Sequence, residues 1–164
     1  MNAATVAGGS FGGLTEQYCT FWVDDLYFGV PVDGVQEVLR HQPMTPVPQA
    51  SEAVRGLINL RGQIVTAVDL RVRLGLPPRA DDALPMNVIV RNRGEVVSLL
   101  VDDIGDVIDT SGHGGSELEA PPTNMPPQVQ QVVLGVRPLD ESILLVLDAD
   151  KAVDVSAAPE SVNG

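Results

Sequence analysis

Apolar and polar positions alternate with a period of two along most of the chain, and the alternating runs close at turn residues. From Tyr18 to Val23, residues Cys19, Phe21 and Val23 face one way, and past Asp24-Asp25 the pattern returns in Leu26, Phe28 and Val30. This predicts two strands of a hairpin. Leu57, Ile58 and Leu60 make a short apolar strand, Arg61-Gly62-Gln63 a turn able to reach positive φ at Gly62, and Ile64 to Leu70 a second strand. Val88 to Val90 and Val96 to Val101 flank the turn signal Asn92-Arg93-Gly94, and Ile104 to Ile108 is expected to continue the second of these strands after a glycine-marked bend. Val132 to Val136 and Ile143 to Leu147 predict the last hairpin.

Two segments break the alternation. Val32, Val35, Val38 and Leu39 recur at spacings that place them on one face of a short helix, with Gln36 and Glu37 turned elsewhere and Glu37 held near solvent. Asp69 is a candidate cap for a helix of one or two turns carrying Leu70 and Leu74, with Gly75 as its left-handed stop and Pro77-Pro78 preventing continuation. Between the elements lie a segment with Pro43, Pro46 and Pro48, a polar connector from Arg79 to Pro85, and a long loop from Ser111 to Gln128 with three glycines and four prolines. About ten short strands with turns every 8 to 12 residues or so favour all-β barrels over a βαβ architecture. The hairpin rhythm starts again after Pro85, which suggests an internal duplication from pattern alone.

Composition narrows the class. A chain of 164 residues is long enough for one body with a real core, or two small barrels sharing one. Its six aromatic residues all fall within the first 28 positions, so the rest of the core is aliphatic. A net charge of −12 repels nucleic-acid phosphates and anionic lipid. No apolar run approaches the roughly 20 residues that cross a bilayer, and the first fifteen residues lack the basic start and apolar centre of a secretory signal, so a cytoplasmic location is expected. A lone cysteine, Cys19, suits a reducing compartment and a small buried hydrophobe. The Gly/Ala-rich start and the similar last residues predict tails at 1–15 and 156–164 around a folded region at 16–155, the pattern of a complete chain.

Candidate chemistry is sparse. His41 and His113, both in Pro/Gly-rich loops, are expected to be solvated and give no nucleophile–base pair. Asp102, Asp103, Asp106 and Asp109 lack the spacing and terminal Glu of a calcium loop and read as a solvated acidic edge that discourages strand pairing. Gly112, Gly114 and Gly115 do not lie between a strand and a helix, and no Lys follows them. No catalytic residue, metal ligand or cofactor is expected, and the chain does not read as an enzyme.

The wording of the central hairpin carries more. GLINLRGQIVTAVDLR from Gly56 to Arg71, with Leu74-Gly75 after it, resembles the CheW family of chemotaxis coupling proteins. LYFGVPVDGVQEVL from Leu26 to Leu39 and VVSLLVDDIGDVI from Val96 to Ile108 extend the resemblance, which runs from about Tyr18 to about Val153. It implies two intertwined five-stranded SH3-like barrels with a few short helices. The implied function is that of a non-enzymatic adaptor joining the cytoplasmic tip of a chemoreceptor to the regulatory domain of a CheA-type histidine kinase, recruited to membrane receptor clusters. An adaptor of the same fold in a pathway of surface motility or development is the alternative. The resemblance places Val35, Glu37, Gly56, Arg61, Gly62 and Ile64 along the receptor groove and gives the kinase an exposed apolar strand edge.

Overall fold

Alternation buries Phe21, Val23, Phe28 and Val30 on one face of the first hairpin, and the same rule repeats along the chain. The computed structural model describes residues 17–111 and 118–154. Its strands are β1 Gln17–Val23, β2 Leu26–Pro31, β3 Val35–Leu39, β4 Val54–Leu60, β5 Gln63–Asp69, β6 Met86–Asn92, β7 Glu95–Val101, β8 Asp103–Asp109, β9 Val133–Pro138 and β10 Ile143–Leu147. Three one-turn α-helices, α1 Leu70–Arg73, α2 Pro127–Gln130 and α3 Ala149–Ala152, and a 3-10 turn at Val32–Gly34 are the helical elements among the described residues. The expected tails and His113 lie outside them.

The strands form two five-stranded sheets, ordered β9-β10-β2-β1-β8 and β4-β5-β7-β6-β3. Both have the same plan: a hairpin, a parallel pairing to a second hairpin (β10 with β2, β5 with β7), and an antiparallel edge strand. Residues 17–69 supply β1 and β2 to the first sheet and β3, β4 and β5 to the second. Residues 86–147 supply β6 and β7 to the second and β8, β9 and β10 to the first. The duplication expected across Pro85 is therefore present, and the halves are interlocked: each sheet takes two strands from one half and three from the other.

The repeat reaches single residues. Val54, Gly56, Ile64 and Asp69 recur as Val133, Gly135, Ile143 and Asp148, each 79 positions later. A bulge falls between Val54 and Gly56 in β4 and between Val133 and Gly135 in β9. Beside each bulge an outlying segment makes an isolated bridge, Thr45 to Leu57 and Glu119 to Val136. A Cβ on Gly56 would stand 2.6 Å from the Thr45 carbonyl oxygen, and one on Gly135 2.8 Å from that of Glu119, so both positions exclude a side chain.

Two expectations are corrected. Only Val32–Gly34 turns helically, as a 3-10 turn, while Val35–Leu39 is strand β3, bonded to β6. A bulge between Val35 and Glu37 sets Val35 opposite Val90 and Val38 opposite Val88, so residues three apart share a face as they would on a helix. Ile104 to Ile108 does not prolong β7: the chain bends at Asp102, not at a glycine, and crosses to the other sheet, where β8 pairs with β1. The largest core cluster lies where both sheets contribute, with Phe21 and Phe28 from one and Val88, Val90, Leu99 and Val101 from the other. Arg137 is buried within the first sheet, and its Nε donates to the Tyr18 hydroxyl at 3.1 Å.

Candidate partner-binding site

The β4–β5 hairpin closes on Arg61 and Gly62, with φ of +51° and +89°, the paired positive values of a type I′ turn. The Asn59 side-chain oxygen accepts from the Gly62 N–H at 2.9 Å and fixes the turn. Thus held, Arg61 reaches Glu37 on β3, and its guanidinium donates to the Glu37 carboxylate. Since β3 and β4 are opposite edges of one sheet, this contact reports how far that sheet curls. The Arg61 side chain is 68% exposed and Glu37 23%, so the pair contributes about 0–1 kcal/mol to folding and leaves its charges open to a partner. Two exposed apolar side chains sit nearby in sequence: Ile64, 60% exposed and one residue past the turn, and Val38, next to Glu37. The other two expected site residues play a framework part. Val35 packs against the main core, and Gly56 makes room for the Thr45 segment.

A second constellation was not legible in the sequence. Asp69, 2% exposed, accepts from the Arg71 N–H at 3.0 Å as the cap of α1, from Arg55 at 3.0 Å, and from Arg79 at 3.2 and 3.3 Å. Asp102 accepts from Arg71 at 2.7, 2.9 and 3.1 Å, from Arg79 Nε at 3.0 Å, and from the Asp24 N–H at 2.6 Å. Asp24 in turn lies 3.7 Å from Arg71. Burial raises the Asp102 pKa, but the hydrogen bonds from Arg71, Asp24 and Arg79 outweigh it and hold the carboxyl below the usual carboxylate range. The same hydrogen bond to Asp102 pushes Arg71 up. This network ties the β1–β2 turn of the first sheet to α1 and the β7–β8 crossover, so Asp102 does not belong to a solvated acidic edge. Asp103, Asp106 and Asp109 do, lying exposed along β8 at the border of its sheet. A sequence signal existed in the crowding of Arg55, Arg61, Arg71, Arg73 and Arg79 into one stretch of an acidic chain.

His41 departs from its expected solvation, because its Nδ1 is buried without a hydrogen-bond partner. Cys19 is partly buried, which raises its thiol pKa and leaves it a poor nucleophile. Among the described residues no group of three or more His, Cys, Asp or Glu is placed to hold a metal ion, and no helix is long and apolar enough to cross a membrane. What the site offers is a charged pair beside apolar side chains on a rigid turn, which suits association.

Residues 17–157 match the family model of the CheW-like domain. The chain belongs to the CheW family. A probable chemotaxis protein CheW from Rhizobium etli is 27% identical over 131 residues, covering 79% of this chain and 82% of that protein. The chemotaxis protein CheW of Bacillus subtilis is 26% identical over 147 residues, covering 90% of this chain and 92% of its own. In three dimensions the chain superposes on the scaffolding protein TtCheW from Thermoanaerobacter tengcongensis with a TM-score of 0.69 at 26% identity, covering 81% of this chain and 88% of that one. Two interlocked five-stranded sheets are thus the CheW fold, as the central hairpin motif implied.

Proposed function

We propose that this chain is a chemotaxis scaffold that couples chemoreceptors to the histidine kinase CheA, acting by association without catalysis. The observation that carries the reading is the CheW-like match over residues 17–157 together with an exposed charged turn inside it. In this reading Glu37, Arg61, Gly62 and Ile64 meet the cytoplasmic tip of a receptor, Val35 and Gly56 shape the backbone beneath them, and an apolar strand edge elsewhere meets the regulatory domain of the kinase. The scaffold then works at receptor clusters on the cytoplasmic side of the membrane. By holding both partners at a fixed orientation, it lets a small receptor shift favour one kinase state through differential contact energy. Tethering also raises the concentration of each partner near the other.

The test is a pull-down with purified receptor tip and CheA. Arg61→Glu and Glu37→Lys should each weaken receptor capture about tenfold or more, with melting nearly unchanged and kinase capture retained, because exposed charges contribute little to folding. The double exchange Glu37→Arg with Arg61→Glu restores the pair but not its polarity toward a partner, so it should remain defective. Normal receptor capture by both single variants would refute the assignment of this site.

A further inference from the structure

We propose that a cleft in the first sheet, beside the β1–β2 and β9–β10 turns, binds a cationic peptide segment of a partner protein that inserts a bulky apolar side chain. The cleft has a volume of about 240 Å³, and its walls are Trp22, Leu26, Tyr27, Met125, Ile143 and Leu145. A cavity of about 150 Å³ already takes a benzene ring, so an aromatic or leucine side chain fits. Trp22 stacks on Tyr27 with ring centroids 4.5 Å apart and remains 39% exposed, while Ile143 is 49% exposed. Two rigid rings and an open isoleucine make a preformed apolar surface of the kind that anchors a partner side chain.

Charge decides the occupant. Asp25 lines the cleft, and Asp140 and Glu141 form the exposed turn that leads into Ser142, another lining residue. No Lys or Arg lines it. An apolar side chain flanked by cations therefore finds both its complements here, and the net charge of −12 draws such a segment in from a distance.

The internal repeat shows that the fold does not require this surface. At the matching places in the second sheet, Ile64 stands for Ile143, but Arg61-Gly62 replaces Asp140-Glu141, and the cross-strand pair Arg91–Val96 replaces Trp22–Tyr27. One backbone thus carries a cationic turn in one sheet and an acidic turn beside an aromatic wall in the other, which points to partners of opposite charge. The inference stands apart from the receptor reading, since it uses a different sheet and different residues.

Trp22 is the only tryptophan, so its emission in the full chain reports occupancy. A short synthetic peptide with one Phe flanked by lysines should shift that emission saturably, whereas peptides with Glu for Lys, or Ala for Phe, should not. Asp25→Lys and Glu141→Lys should each weaken the response at least tenfold with receptor-tip capture unchanged. Glu141 lies in an exposed turn and remains informative should Asp25→Lys fold poorly. The proposal is overturned if the lysine peptide gives no shift, if the glutamate peptide binds equally, or if Glu141→Lys binds as the parent does. An emission shift with protein concentration alone would also overturn it, because the occupant would then be a second copy of the chain.

Discussion

Asp102 sits at a crossover with two arginines and a backbone N–H turned onto its carboxylate. Its lowered pKa fixes the sign of its pH dependence. A carboxyl more acidic when folded adds stability above its unfolded pKa of about 3.9, and that contribution is lost as pH falls through the folded value. Asp102→Ala should cost about 2–4 kcal/mol at neutral pH, since it takes from Arg71 its hydrogen-bonded carboxylate and from the largely buried Arg79 one of the two carboxylates that hold it. In urea titrations at several pH values, the gap between variant and parent should narrow below about pH 4. Gly56 and Gly62 test a different residue-scale effect. Gly62 has open space around its missing Cβ, so Gly62→Ala should cost only the positive-φ strain of about 1–2 kcal/mol. Gly56→Ala adds a backbone clash with Thr45 and should have the lower urea midpoint of the two. Residue types at the candidate site were readable because Arg61, Gly62 and Glu37 stand in a distinctive motif. Glu37 and Arg61 were also readable as a charged pair with a surface salt bridge as one reading, and the contact itself depends on the curl of a sheet that has them on opposite edge strands.

Single elements were legible where one rule governed them. Period-two alternation marked both hairpin strands around Asp24, and Asp69 was identifiable as the cap of α1 because capping is local. β3 looks helical in sequence because its bulge gives Val35 and Val38 a three-residue spacing, and only the pairing with β6 distinguishes the two. The two capping aspartates separate local from tertiary effects. Asp148 accepts from the Lys151 N–H at 3.3 Å, and Asp148→Ala should cost about 1 kcal/mol. Asp69 occupies the matching place but is buried and also holds Arg55 and Arg79, so Asp69→Ala should cost about 3–5 kcal/mol. Denaturant midpoints of the two variants would show whether the repeat's second cap has the lesser role.

For the whole molecule the interlocking of halves sets folding behaviour. Neither 1–85 nor 86–164 can complete a sheet alone, because each sheet needs strands from both. Each fragment by itself should show little cooperative unfolding, and mixing them should restore the β-sheet circular dichroism signal and a cooperative melt. The distant pairings, such as β10 with β2 and β8 with β1, should also make refolding slower than for a helical chain of this length. Alternation, turn residues and caps determined the strand inventory, the all-β class and the family motif, because these depend on neighbours within a few positions. The exchange of strands between halves, the Asp69–Asp102 arginine network, the Glu37–Arg61 contact and the acidic aromatic cleft were decided only in three dimensions. Each joins residues far apart in the chain, and the free energy that selects such contacts comes from burial and charge pairing that no local pattern records.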